Sequence, residues 1–257
     1  MNKLLPYLFF AALLSACTNQ EPPAQTTEEI PLTIESVTKE MKEGQCDSGG
    51  YDSKCANISL KYPVLTGGND TLPKVVARWA DNFMVSLLDP GMESGNTISV
   101  DSAMMGFIAM HREMTAEMPD MPAYYTVEVT DSVLFQDEKN LTLRLDAYSY
   151  TGGAHPNAVS TVTTFDIATG RSLTAVDFVN DLEALKQIAE QKFRDVQAEF
   201  FADGFEFDSG WPFKLADNIG LTEEGLLFCY IPYEVGPYAL GFTEFVIPFN
   251  EIEHIRK

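Results

Sequence analysis

The stretch "LTLRLDAYSYTGGAHPNAVSTVTTFDIATGRSL", residues 141–173, decides the fold. Apolar and polar residues alternate through Leu141, Leu143, Leu145 and Ala147, which places those four on one face of a strand. The run breaks at Gly152, Gly153 and Pro156, resumes as a second strand over "NAVSTVTTFD", and turns at Thr169-Gly170 into a short return strand. Both glycines accept backbone angles disfavoured elsewhere and Pro156 removes a donor, so "TGGAHPN" reads as a bend at a sheet edge. His155 sits in that bend. A second reading stays open there: imidazole titrates near neutrality and could act as a base with Asp146 or Asp166 on adjacent strands.

Working outward, "AYYTVEVTDSVLF" (123–135) alternates in the same way and is joined to residue 141 by the polar turn "QDEKN". Earlier, "CANISLKYPVL" (55–65) alternates at Ile58, Leu60 and Tyr62. Two helical patterns lie between: one starts near Pro73 and repeats at Val76, Trp79, Phe83 and Leu87, the other covers Ser102 to Glu117. Beyond residue 173, Leu182, Leu185, Ile188, Ala189, Phe193 and Val196 recur at helical spacing, with Asn180 or Asp181 able to cap the start. The run "NIGLTEEGLLFCYIPY" reads as a hairpin around Glu224-Gly225, and "FTEFVIPF" as a last strand. Strands outnumber helices, and the helices are long and grouped. That pattern predicts an α+β fold of antiparallel sheets covered by helices, in two similar-sized subdomains, residues 44–150 and 151–257.

The first residues give an address. Lys3 precedes the apolar run Leu4 to Leu14, and the segment closes as Leu14-Ser15-Ala16-Cys17, a secretory signal peptide over 1–17. Its end resembles the bacterial lipobox, in which the cysteine carries the lipid. The resemblance implies that Cys17 is lipidated and that the lipid is the only membrane attachment. Thr18 is not the aspartate that retains enterobacterial lipoproteins in the inner membrane, so an outer-membrane anchor is expected. Residues 18–43 read as a flexible tether, the polar, Pro-bearing "TNQEPPAQTTEEIPLT" at their head.

With 38 acidic against 17 basic residues the formal charge is −21, which excludes nucleic acid as a partner and favours a basic one. Cys46 and Cys55 bracket "DSGGYDSK" and are expected to pair in an oxidising compartment. Cys229 lies in the apolar run "GLLFCYIPY" and reads as a small buried hydrophobe.

These residues carry a second resemblance. "YTGGAHPN", "TFDIATGRSLTAVDFV" and "YIPYEVGPYALGFTEFVIPFNEI" together resemble the RsiV-like family of extracellular domains, and residues 46 to about 134 resemble the domain that precedes it, named for the peptidoglycan deacetylase PdaC. The resemblance implies a binding ectodomain at the cell envelope whose partner is a lysozyme-like basic protein. The lipobox stands where the anti-sigma-V factor that gives this family its name has a sigma-binding segment and membrane span, so direct control of a sigma factor is not implied.

The PdaC side implies an alternative, a peptidoglycan- or glycan-binding module or a cell-wall-acting enzyme. "TFDIATG" resembles the T-F-D-D-G motif of polysaccharide deacetylases, but Ile167 takes the place of the metal-binding aspartate, and His111, His155 and His254 are far apart. No G-x-S-x-G elbow is present. The sequence therefore reads as non-catalytic, with neither metal nor cofactor.

The binding candidates are His155 with Gly152 and Gly153, and the loop "YEVGPYALG", where Tyr233 and Tyr238 offer large contact area at low entropic cost. Met110, Met114 and Met118 recur at four-residue spacing beside His111, a stripe suited either to a partner or to soft-metal binding.

Overall fold

A computed structural model describes residues 31–46, 53–89, 91 and 98–257. The signal segment, Cys17 and the first part of the tether lie outside these residues. Strands β1 (Thr33–Gly44), β2 (Lys54–Thr66), β3 (Ala123–Gln136), β4 (Asn140–Tyr150), β5 (Asn157–Asp166) and β6 (Ser172–Leu173) form one sheet in that order. Between β2 and β3 run helices α1 (Thr71–Leu88) and α2 (Val100–Glu117).

Two features of this sheet differ from the sequence expectation. Residues 33–43, assigned to the tether, belong to edge strand β1, paired antiparallel to β2 from Thr33↔Thr66 to Gly44↔Cys55. Glu35, Lys39, Glu40, Lys42 and Glu43 mask its periodicity, and the same charges protect an open sheet edge from aggregation. The sheet is also not wholly antiparallel, because β2 and β3 run parallel, Ile58 beside Val127. A parallel pair needs a long crossover, and the two helices supply it.

The helices cover one face. α1 buries Val76, Ala80, Met84 and Leu88; α2 buries Ala103, Met104, Phe107, Ile108 and His111. They pack on Ile58, Leu60, Val127, Val129 and Leu145, with Leu141 and Leu143 in an adjoining cluster under α1. Local capping fixes where they begin. The Asn69 Oδ1 accepts from the backbone of Thr71 and Leu72 at 2.8 and 2.9 Å, and the Ser99 hydroxyl accepts from Ser102 N at 3.1 Å.

The remaining chain builds a second layer. After the single turn α3 (Ala175–Phe178) come α4 (Leu182–Val196) and α5 (Ala198–Ala202), then the antiparallel sheet of β7 (Asn218–Leu221), β8 (Gly225–Tyr230) and β9 (Thr243–Pro248). Asp181 caps α4, its carboxylate accepting from Ala184 N at 3.0 Å. Leu185, Ala189 and Phe193 pack with Phe213, Phe228, Tyr230 and Ile247, whereas Leu182 and Val196 face solvent.

The boundary read at 150/151 passes between β4 and β5, which are paired from Asn140↔Asp166 to Ser149↔Asn157. The structural division falls later, because β5 and β6 complete the first sheet. The second sheet then lies on the face of β4 and β5 that the helices leave open. Gly220 permits this contact: a Cβ there would meet Val162 Cγ1 at 2.6 Å and Thr142 Cγ2 at 2.9 Å. Side chains replace backbone pairing across the seam. Val162 N donates to Asn218 Oδ1 at 2.9 Å, Leu221 N donates to Thr164 Oγ1 at 2.9 Å, and the hydroxyls of Thr142 and Thr164 bond at 2.8 Å.

Candidate binding site at the junction of the two sheets

Beyond the part of β4 and β5 that the second sheet covers, an open groove of about 330 Å³ remains, lined among others by Glu128, Asp146, Tyr148, Ser160 and Phe242. Alternation along the strands puts Glu128 on β3, Arg144, Asp146 and Tyr148 on β4, and Ser160 on β5 on the same face. Arg144 is the only basic residue among those lining the groove. Its guanidinium is committed: it donates to both carboxylate oxygens of Glu244 on β9 at 2.6 and 2.9 Å, and through Nε to Asp146 Oδ1 at 2.7 Å. Ser160 also donates to Asp146.

The forked geometry holds Arg144 firmly charged and draws the Glu244 carboxyl below the ordinary glutamate range. Two carboxylates thus outweigh one guanidinium and Glu128 adds another negative charge, so the groove is acidic overall.

One end of the groove, at Ala158 and Phe242, abuts the bend at residues 151–156, and here most of the expected binding residues converge. His155 stacks on Tyr238, ring centroids 4.0 Å apart and 22° from parallel, and Tyr238 contacts Tyr233 at 5.6 Å. The Tyr238 hydroxyl donates to Pro156 O at 3.1 Å, and His155 Nδ1 lies 2.8 Å from the same carbonyl. Gly152 and Gly153 take φ of 89° and 99°, which gives each its place in the bend. Tyr233 takes φ of 70°, a strained conformation for a bulky residue, and keeps half its surface exposed. A cluster of exposed aromatic rings is therefore fixed beside an acidic groove.

The catalytic alternative for His155 is not assembled. Asp146 is held by Arg144 and Ser160. Asp166 stands at the opposite end of β5, about 30 Å from Asn157 at the usual rise per residue; there it accepts from the backbone and hydroxyl of Thr169 at 2.7 Å and closes a turn. His155 instead engages Pro156 and Tyr238. His111 is 3 % exposed, with Nε2 2.8 Å from Ala123 O, and His254 lies in the C-terminal turns. Among the described residues no group of three or more His, Cys, Asp or Glu side chains is placed to hold a metal.

Cys46, Cys55 and Cys229 follow the sequence reading. Cys46 and Cys55 form a disulfide, and Cys229 is free and buried. Burial and the neighbouring Glu244 carboxylate push the Cys229 thiol up to about 12. Sequence reasoning missed Arg144, Glu244, Glu128, Tyr148 and Phe242. Arg144 and Glu244 are 100 positions apart, and neither carries a local signal of the pair.

Residues 50–158 match the family model described as Deacetylase PdaC, and residues 172–250 match Protein of unknown function (DUF3298). The segment matching PdaC ends inside β5, so in three dimensions it supplies most of the first sheet and both crossover helices. The segment matching DUF3298 supplies β6 and the second layer.

Two solved structures share this fold. A DUF3298 family protein from Pseudomonas aeruginosa is 18 % identical with a TM-score of 0.60, covering 89 % of this chain and 96 % of that one. A DUF3298 family member from Bacteroides fragilis is 19 % identical with a TM-score of 0.62, covering 89 % and 95 %. At such identity the likeness shows the fold. No curated protein matches.

Proposed function

We propose that this chain is a lipid-anchored envelope protein whose ectodomain, matched by the PdaC and DUF3298 models, binds a cationic, lysozyme-like protein without doing chemistry. The observation that carries the reading is the aromatic cluster of His155, Tyr238 and Tyr233 continuing into a groove whose one cation is already neutralised by Asp146 and Glu244. Exposed rings supply contact area, and the surplus carboxylates select for positive charge. The formal charge of −21 steers the same class of partner from a distance.

Calorimetric titration of the protein with a lysozyme at low and moderate salt tests this. Binding should weaken steeply with ionic strength. Tyr233→Ala should weaken it at every salt concentration, while Glu128→Gln should mainly reduce the salt dependence. Absence of heat at low salt refutes the partner.

A second reading rests on the near-parallel stack of His155 on Tyr238 and on the match of residues 50–158 to the model described as Deacetylase PdaC. A flat aromatic face suits a sugar ring, so the same cluster could hold a glycan. Titration with peptidoglycan fragments would then give heat nearly independent of salt.

A further inference from the structure

The chain's methionines are not all core filler. Met84 and Met104 are fully buried, whereas Met110, Met118 and Met121 are 38, 42 and 57 % exposed, and Met114 only borders the core. On α2 the spacing puts Met110, Met114 and Met118 about 40° apart around the axis and about 6 Å apart along it. The helix ends where Met118 N donates to Met114 O at 3.0 Å; Met121 N then returns to Met118 O at 3.2 Å, keeping Met121 at that end. Leaving several such side chains partly in water forgoes burial that a core would supply.

The surroundings are mostly acidic, with the Lys54 ammonium tied to Pro119 O between Met118 and Met121. Glu113, Glu117 and Asp120 flank the stripe and are exposed, while Arg112 is tied to Glu43 by two hydrogen bonds of 2.5 and 2.9 Å. His111, expected beside the stripe, is turned into the core and engaged with Ala123 O, so imidazole is not part of the set. What remains is thioether sulfur on long, adaptable side chains, a donor set that selects soft ions over Zn²⁺, Mg²⁺ or Ca²⁺.

We propose that Met110, Met114, Met118 and Met121 form a thioether site for a soft monovalent metal ion, Cu(I) in the cell. The site is independent of the groove, which lies on the other face of the sheet from α2. The test is a titration of the full chain, labelled at its methionine methyl groups, with Ag(I) as a redox-inert probe followed by NMR. The methyl resonances of these four methionines should move together and saturate at one ion per chain, while Met105, exposed but off the stripe, stays in place. Met110→Leu with Met118→Leu, both at exposed positions and so compatible with folding, should weaken the affinity read from the remaining methyl groups by on the order of tenfold or more. Shifts spread evenly over exposed methionines including Met105, without saturation, would overturn the proposal, as would unchanged affinity in the double variant.

Discussion

Replacing Gly220 with alanine tests the packing of the two sheets. The added Cβ would sit 2.6 Å from Val162 Cγ1 and 2.9 Å from Thr142 Cγ2, about 1 Å inside the optimal carbon–carbon separation of roughly 3.5–4.0 Å. Neither neighbour can easily yield. Val162 is 4 % exposed with its N–H bound to Asn218, and Thr142 is fully buried with its hydroxyl bonded to Thr164. Both are β-branched and stiff at χ1.

Overpacking of this kind costs about 1–3 kcal/mol, and the reduced freedom of the unfolded chain returns about 0.4–1 kcal/mol. A net loss of about 1–2 kcal/mol is expected, read as a lower urea midpoint at unchanged slope. Val162→Ala makes room for the new methyl, so the double variant should lose less than the sum of the two single variants. A Gly220→Ala protein as stable as the parent would mean that the sheets do not meet as described.

Three further outcomes follow from the same geometry. The Glu244 carboxyl lies below its ordinary value because Arg144 bonds its charged form; its stabilisation is therefore complete above pH 4.5 and lost as pH falls through the lowered folded value, and Glu244→Gln should flatten the acid limb of the stability–pH curve. Removing the Cys46–Cys55 disulfide as a pair of serines should cost about 2–3 kcal/mol by the loop-entropy argument, measured by thermal or urea unfolding. Cys229, buried and held protonated, should resist alkylation at neutral pH in the folded protein and react once denaturant unfolds it; rapid modification under native conditions would contradict its place at the seam.

Much of the fold was legible because its signals are local. Leu141, Leu143, Leu145 and Ala147 are all buried on the helix-covered face, as their alternation required. Phe193 and Leu185 lie on the buried side of α4, and the turn at Thr169-Gly170 forms where the glycine allows it, with φ of 70°. β1 was hidden because an edge strand rich in charge loses the contrast between its faces. The parallel pairing of β2 with β3 was hidden because a strand's own pattern does not state the direction of its neighbour. For the site, the sequence singled out His155, Tyr233 and Tyr238 one by one, yet gave no sign that His155 and Tyr238, 83 positions apart, stack.

The sequence by itself determined where most of the strands and the long helices lie, which of their faces is apolar, and that Cys46 and Cys55 are close enough along the chain to pair. These depend on neighbours within a few positions and on the periods of 2 and 3.6. Only the tertiary structure decided that Gly220 brings the second sheet onto β4 and β5, that Arg144 is neutralised by Glu244, and that the aromatic bend ends beside an acidic groove. Each joins segments far apart in the chain, and the side-chain contacts that set them exist only once both sheets are formed.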